Sequence, residues 1–113
     1  MHEMSICEGI VQTLEDAAKA QNFTRVRTVW LEIGDLAGVE IPALEFGWEV
    51  VSRHTLAEGA KLEIIPVPAQ AYCLGCANTV PIKQRYDACP ECGSYHLQVV
   101  AGEELRIKEL EVD

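Results

Sequence analysis

The 113-residue sequence predicts an α+β fold, in which two helices pack on a small mixed β-sheet and a four-cysteine lobe is inserted before the last strand. Three observations predict it. Apolar residues recur at spacings of three and four in two segments, they alternate in several others, and two Cys-x-x-Cys pairs occupy the second half of the chain. The order is therefore helix, strand, helix, strand, cysteine lobe, strand.

The first half of the chain supplies both helices and two strands. The first apolar stripe predicts a helix that runs to about Gln21, where Asn22 suits a left-handed stop. Strands are predicted over residues 25–33 and 61–67, because apolar residues alternate there. Pro42 suits the start of the second helix, whose apolar residues cover more than one face and predict that it is well buried.

Two cysteine pairs organise the second half. They are Cys73-Leu74-Gly75-Cys76 and Cys89-Pro90-Glu91-Cys92, with residues 77–88 between them. Each pair closes a tight knuckle that directs two sulfur atoms at one point, and four thiolates are the ligands of a closed structural zinc site. The inserted lobe is therefore predicted to be a zinc ribbon, with two disulfides or a redox dithiol as the alternatives.

The ribbon, roughly residues 69–96, has too few large apolar side chains for a core of its own. Zinc binding must then supply much of its folding free energy. We expect an α+β domain of residues 1–68 plus 98–113 and a zinc-ribbon domain of residues 69–97.

Three further residues with metal-binding side chains have simpler interpretations. Cys7 lies on the apolar stripe of the first helix and is predicted to be a small buried residue. His54 and Arg53 are predicted in the last turn of the second helix, where positive charge complements the helix dipole. His96 lies near the end of the ribbon, where a surface histidine is favoured over an auxiliary metal ligand.

Composition narrows the classes of function. Nine Lys and Arg against eighteen Asp and Glu give a net charge of −9, and the basic residues are scattered among acidic ones, which argues against nucleic acid as a partner. Nothing resembles a signal peptide or a membrane span, and paired thiols that bind metal are typical of a reducing compartment, so we expect a cytoplasmic protein with no membrane partner. The sequence has no nucleophile elbow, phosphate loop or helical His-Glu-x-x-His motif, so no enzyme activity is predicted.

The first residues, Met1-His2-Glu3, offer a second metal site. A histidine second from a free amino terminus presents three nitrogen atoms to one metal: the terminal amine, its own amide nitrogen and the imidazole Nδ1. This planar, nitrogen-rich geometry favours Ni(II) or Cu(II), and Glu3 or an outside ligand can fill the fourth position. Taken alone the motif is common by chance, and a disordered polar terminus is the alternative.

Taken together, these features closely resemble the HypA/HybF family, the nickel metallochaperones of nickel–iron hydrogenase maturation. The resemblance covers essentially the whole chain. It rests on Met1-His2-Glu3-Met4-Ser5, Trp30-Leu31-Glu32-Ile33-Gly34, Ala57-Glu58-Gly59, the four-cysteine ribbon and the closing Lys108-Glu109-Leu110-Glu111-Val112.

The resemblance implies a nickel-binding lobe and a structural zinc lobe. Nickel, as transient cargo, would be held by His2 with Met1 and Glu3 contributing, and zinc by Cys73, Cys76, Cys89 and Cys92. The family is thought to deliver Ni(II), with a hydrogenase-maturation GTPase (HypB type), to the nickel–iron hydrogenase large-subunit precursor, and in some organisms to serve urease maturation. We expect a monomer or weak homodimer.

This sequence departs from some members of the family, which carry a histidine directly after a cysteine pair. Here those positions are Ala77 and Gly93, which argues against exchange of His for Cys at the zinc site. Two other classes of function stay open. One is a zinc-ribbon protein-interaction adaptor without a second metal, and the other is a cysteine-based redox or zinc enzyme.

Overall fold

The structure, a computed structural model, describes residues 2–113, which form two helices and six strands. Their bounds are α1 Glu3–Gln21, β1 Val26–Gly34, α2 Ile41–Val51, β2 Lys61–Val67, β3 Gln70–Cys73, β4 Asn78–Pro81, β5 Leu97–Ala101 and β6 Leu105–Val112. The strands make two three-stranded sheets, in the orders β2-β1-β6 and β4-β3-β5. The predicted α+β class is confirmed. Within residues 2–113, neither helix is long and apolar enough to cross a membrane.

A single apolar stripe explains both the formation and the packing of α1. Its buried residues recur at spacings of three and four, and they are Cys7, Ile10, Val11 and Leu14. The helix ends where Asn22 adopts the left-handed conformation, with φ 58°, as predicted. The stripe packs against α2.

α2 is less buried and shorter than its sequence predicts. Leu44, Gly47 and Trp48 are buried, but Phe46 is exposed, so the expectation that more than one face is buried is wrong. The helix ends at Val51, so Arg53 and His54 do not lie in its last turn, and that prediction is also wrong. Instead the chain turns sharply after the helix, because the Glu58 carboxylate accepts a hydrogen bond from the His54 N–H at 2.7 Å.

The contact between the helices is close because two small residues meet there. A Cβ at Gly47 would lie 3.4 Å from Cys7 Sγ and 3.5 Å from Met4 Sδ. The Cys7 thiol donates a hydrogen bond to the Leu44 carbonyl oxygen at 3.4 Å, which confirms Cys7 as a buried structural residue. Burial raises the pKa of this thiol to about 11, and the carboxylates of Glu3 and Glu8 add to the effect.

The raised pKa of Cys7 predicts a loss of stability at alkaline pH. Below 9.0, its ordinary value, the thiol is protonated in both the folded and the unfolded chain, and its stabilising contribution is complete. As pH rises from 9.0 to about 11 the unfolded chain loses the proton first, so the free energy of unfolding falls. We expect wild type to lose more stability than Cys7→Ala between about pH 9 and 11, measured by urea unfolding. An equal loss in the two proteins would contradict the assignment.

The chain divides into two compact units. Unit 1 comprises residues 2–31, 39–64 and 107–113, and unit 2 comprises residues 32–38 and 65–106. Both helices belong to unit 1, and the four paired cysteines belong to unit 2. These are units of packing, and the assignment of nickel and zinc to domains of residues 1–68 plus 98–113 and residues 69–97 stays a prediction.

Unit 2 is built around β3, which pairs antiparallel with both β4 and β5. Its buried core consists of small side chains and two of the cysteines, namely Ala69, Ala71, Cys73, Val80, Ile82 and Cys89. Leu36, Leu97 and Val99 pack against this core. The shorter segment of the unit, residues 32–38, is joined to the longer one by backbone hydrogen bonds. In one of them the Leu36 N–H donates to the Gly102 carbonyl oxygen at 2.7 Å.

Candidate metal centres

The four cysteines of unit 2 converge on one point. All four Sγ atoms lie within 4.8 Å of one another, with Cys73 and Cys92 3.5 Å apart and Cys76 and Cys89 3.8 Å apart. A regular tetrahedron of sulfur atoms about 2.3 Å from a zinc ion has edges of about 3.8 Å. A disulfide would need about 2.05 Å, and all five cysteines are unpaired. The donor set and its spacing therefore fit a zinc ion.

The two knuckles share one backbone geometry. The residue after the second cysteine of each pair is left-handed: Ala77 with φ 57° and Gly93 with φ 76°. Each donates its N–H to the carbonyl oxygen of the first cysteine of its pair, at 2.8 Å in both knuckles. The turn that closes each knuckle thus depends on a conformation that L-residues disfavour. The glycine at position 93 indicates this left-handed conformation in the sequence, whereas the alanine at position 77 does not.

The surroundings of the sulfur atoms lower the pKa of one cysteine and raise the pKa of two others. The Cys76 N–H, which donates to the Cys73 sulfur, lowers the pKa of Cys73 to about 7. Burial, together with the sulfur atoms of Cys73 and Cys89, raises the pKa of Cys76 to about 12. The pKa of Cys92 is also raised: the Ser94 N–H is the strongest single influence and lowers it, but the Cys73 sulfur and desolvation outweigh that bond. Four thiolates at this spacing need a cation to coexist.

The knuckle geometry predicts opposite effects of two substitutions. Ala77→Gly removes the steric cost of the left-handed conformation and should raise the free energy of unfolding of zinc-loaded unit 2 by up to about 1 kcal/mol. Gly93→Ala introduces that cost and should lower it by about 1–2 kcal/mol. Amide hydrogen exchange within residues 65–106 measures both. Destabilisation by Ala77→Gly would show that its backbone is not strained.

Loss of a ligand should unfold one unit and spare the other. We expect Cys76→Ala or Cys92→Ala to abolish zinc binding and amide protection in unit 2, while α1 and α2 keep theirs, because the helix contact contains none of the four clustered cysteines. Cys7→Ala is the matched control, since it removes a thiol outside the cluster and should leave zinc content unchanged. Equal loss of protection in α1 and the ribbon would contradict independent folding of unit 1.

The predicted nickel residues lie at the start of α1, apart from Met1, which lies outside the described residues. His2 is exposed and precedes the first helical residue, and its carbonyl oxygen accepts the Ile6 N–H at 3.2 Å. The Glu3 carboxylate accepts the backbone N–H of Glu40 at 3.2 Å, and this bond is the main reason why the pKa of Glu3 is lowered. Glu40 precedes α2, so Glu3 satisfies an N–H group at the start of that helix. The hydrogen bond between Glu3 and Glu40 joins residues 37 positions apart, and no sequence pattern predicts it.

The remaining metal-binding side chains stay apart. Within residues 2–113 the four cysteines are the only group of three or more His, Cys, Asp or Glu side chains with converging ligand atoms. His54 and His96 are exposed and lie outside that group. A nickel site at the terminus would thus rest on the backbone nitrogens and imidazole of the first residues, which need no packed cage.

An α+β protein with a closed tetrathiolate cluster belongs to the zinc-ribbon class of metal-binding proteins. Over residues 1–112 the chain matches the family described as hydrogenase/urease nickel incorporation, metallochaperone, HypA. It is 64% identical to hydrogenase maturation factor HypA of Alkalilimnicola ehrlichii and 65% identical to that of Azotobacter chroococcum mcd 1, in each case over 100% of both chains. The chain belongs to the HypA family, and the resemblance predicted from sequence is confirmed.

Two solved structures share the fold. The solution structure of the Ni metallochaperone HypA from Helicobacter pylori has a TM-score of 0.70 at 22% identity and covers 99% of this chain and 97% of that one. A further solution structure of HypA protein has a TM-score of 0.73 at 24% identity, with 99% and 96% coverage. At these identities the likeness concerns the fold alone.

Proposed function

We propose that this protein binds Ni(II) at Met1-His2-Glu3 and delivers it, with a hydrogenase-maturation GTPase of the HypB type, to the nickel–iron hydrogenase large-subunit precursor. Membership in the HypA family supports the class of function. The observation that carries the site is the exposed His2 side chain, which makes no capping hydrogen bond to α1 and is free to ligate a metal. In this function the protein is a carrier and not an enzyme, acts in the cytoplasm, and binds neither nucleic acid nor membrane.

The proposed nickel site is open, which suits cargo. Its nitrogen donors belong to the first residues of the chain, so a receiving protein can approach the metal without unfolding unit 1. Glu3 can offer its amide nitrogen while its carboxylate stays on the Glu40 N–H. The carboxylate itself can reach a metal only by giving up that bond, which also lowers the stability of the start of α2.

The proposed zinc site is closed, which suits a structural ion. Cys73, Cys76, Cys89 and Cys92 would supply all four ligands, and no position remains for a substrate. When bound, zinc would offset two of the four thiolate charges and cross-link the two knuckles. Unit 1 would therefore carry the cargo while unit 2 holds the permanent ion.

Nickel binding should depend on the free amino group. A Gly-Ser extension before Met1 keeps every side chain but moves the amine out of chelate range, and we expect it to weaken nickel binding at least about ten-fold, as should His2→Ala. Calorimetric titration of untagged, zinc-loaded protein measures the affinity. His54→Ala is the matched control, because it removes an exposed histidine of unit 1 away from the terminus.

Each result has a defined meaning. Zinc content and helical signal should be unchanged in all three variants. If the extended protein binds nickel as tightly as wild type, the amine is not a ligand. If His2→Ala does so too, the terminus is not the nickel site, and a protein with one zinc and no response to nickel would be an interaction adaptor.

A further inference from the structure

Tyr86 in unit 2 has a conformation that folding alone does not explain. Its backbone is left-handed, with φ 69°, which is a genuine outlier for a bulky residue. Its side chain is 92% exposed, so burial of the ring does not offset the strain. Asp87 stabilises the turn by accepting the N–H groups of Lys83 and Gln84 at 3.0 Å each. Glycine would satisfy the same backbone without strain, so the backbone conformation does not itself call for a tyrosine here.

The ring borders a small cavity whose lining is partly apolar and partly charged. Tyr86 and Tyr95 line a cavity of about 140 Å³, together with Ile82, Leu97 and Val99. Tyr95 is 74% exposed, so both tyrosines present their rings to solvent. Cofactor sites usually measure about 300–1,000 Å³, whereas this volume suits one large apolar side chain. Tyrosine and arginine beside a small cavity are the residue types that carry much of the binding energy at protein interfaces.

The cavity itself is lined by one basic and one acidic residue, so the net charge of unit 2 as a whole indicates what kind of protein segment would approach it. Arg85 also lines the cavity, but its guanidinium is paired with Glu103 at 2.6 Å, and the Asp87 carboxylate is held by two backbone N–H groups. Unit 2 contains six acidic residues, Glu32, Asp35, Asp87, Glu91, Glu103 and Glu104, against three basic ones, Lys83, Arg85 and Arg106, which leaves a net charge of −3. Four thiolates on a zinc ion would add two further negative charges.

This imbalance favours a positively charged occupant. Lys or Arg in the occupant would be attracted by the acidic unit and can approach the faces of exposed tyrosine rings. A second copy of this chain is a poor occupant, because each copy carries a net charge of −9.

We propose that this cavity docks an extended segment of another protein, which inserts one large aliphatic or aromatic side chain against Tyr86 and Tyr95 and carries Lys or Arg beside it. The site lies within unit 2 and uses none of the proposed nickel ligands, so it goes beyond nickel carriage. It gives the ribbon a role in recognition in addition to its structural zinc.

A displayed peptide library tests the proposal. The probe is a library of 12-residue peptides with a central Leu or Phe and randomised flanks, selected on zinc-loaded wild-type protein and counter-selected on Tyr86→Gly. We expect enriched peptides to carry net positive flanks and to bind Tyr86→Gly and Tyr95→Ala at least about ten-fold more weakly than wild type. Replacing the central residue of an enriched peptide by Ala should abolish its binding.

Matched variants separate docking from folding and from nickel. Ala77→Gly places glycine at another left-handed position of unit 2 that does not line the cavity, and it should bind the peptides as wild type does. His2→Ala should also bind them equally, with or without nickel, so failure of the nickel site leaves this result intact. Tyr86→Gly should retain its zinc and resist urea at least as well as wild type.

Several results would overturn the proposal. These are the absence of enrichment over the counter-selection, enrichment of acidic flanks, or equal binding by wild type and both tyrosine variants. Sedimentation gives one more: if wild type dimerises at micromolar concentration and Tyr86→Gly does not, the occupant is a second copy of the chain, and the proposed basic partner segment is wrong.

Discussion

The convergence of four cysteine sulfur atoms is the constraint on which unit 2 depends. Two of the four, Cys73 and Cys89, are themselves core residues, and their neighbours in that core are mostly small. β3 and β4 have only four residues each, so the sheet of this unit is small. Without a cation, burial and the neighbouring sulfur atoms raise the pKa of Cys76 and so oppose its ionisation. We therefore expect metal binding and folding of this unit to be coupled.

Unit 1 has the opposite design. Its helices meet through Cys7 and Gly47, and its buried Trp48 donates its ring N–H to the Ala60 carbonyl oxygen at 3.0 Å. Its stability rests on apolar packing and satisfied hydrogen bonds, so it has no need of a metal. That independence is what a carrier of exchangeable metal requires, since cargo can arrive and leave while the scaffold stays folded. If nickel binds at the terminus as proposed, its amine and imidazole would also favour Cu(II) over Ni(II), and selectivity would have to come from metal supply or from partners.

Sequence patterns predicted features that depend on local spacing. The period of α1, its stop at Asn22, the bounds 61–67 of β2 and the convergence of the cysteines all follow from residues close together in the chain. Features that depend on distant segments were not predictable. Phe46 is exposed, and its exposure depends on whether another segment of the fold covers its face of α2. Likewise Gly34 is needed because a Cβ there would lie 2.0 Å from the Gly102 carbonyl oxygen, a contact visible only in the fold.

The left-handed residues of unit 2 show how strain can be interpreted in this fold. Gly93 and Gly102 have a positive φ, which glycine adopts without strain. At Gly102 a Cβ would also lie 2.6 Å from Ala69 Cα. At Ala77 the side chain is small, and the N–H bond to Cys73 holds the conformation beside a metal ligand. Tyr86 has neither explanation, because it is large, exposed and outside the cysteine cluster. At Tyr86 backbone geometry and side-chain burial both favour another residue, and the proposed docking site gives the ring a role that the fold does not.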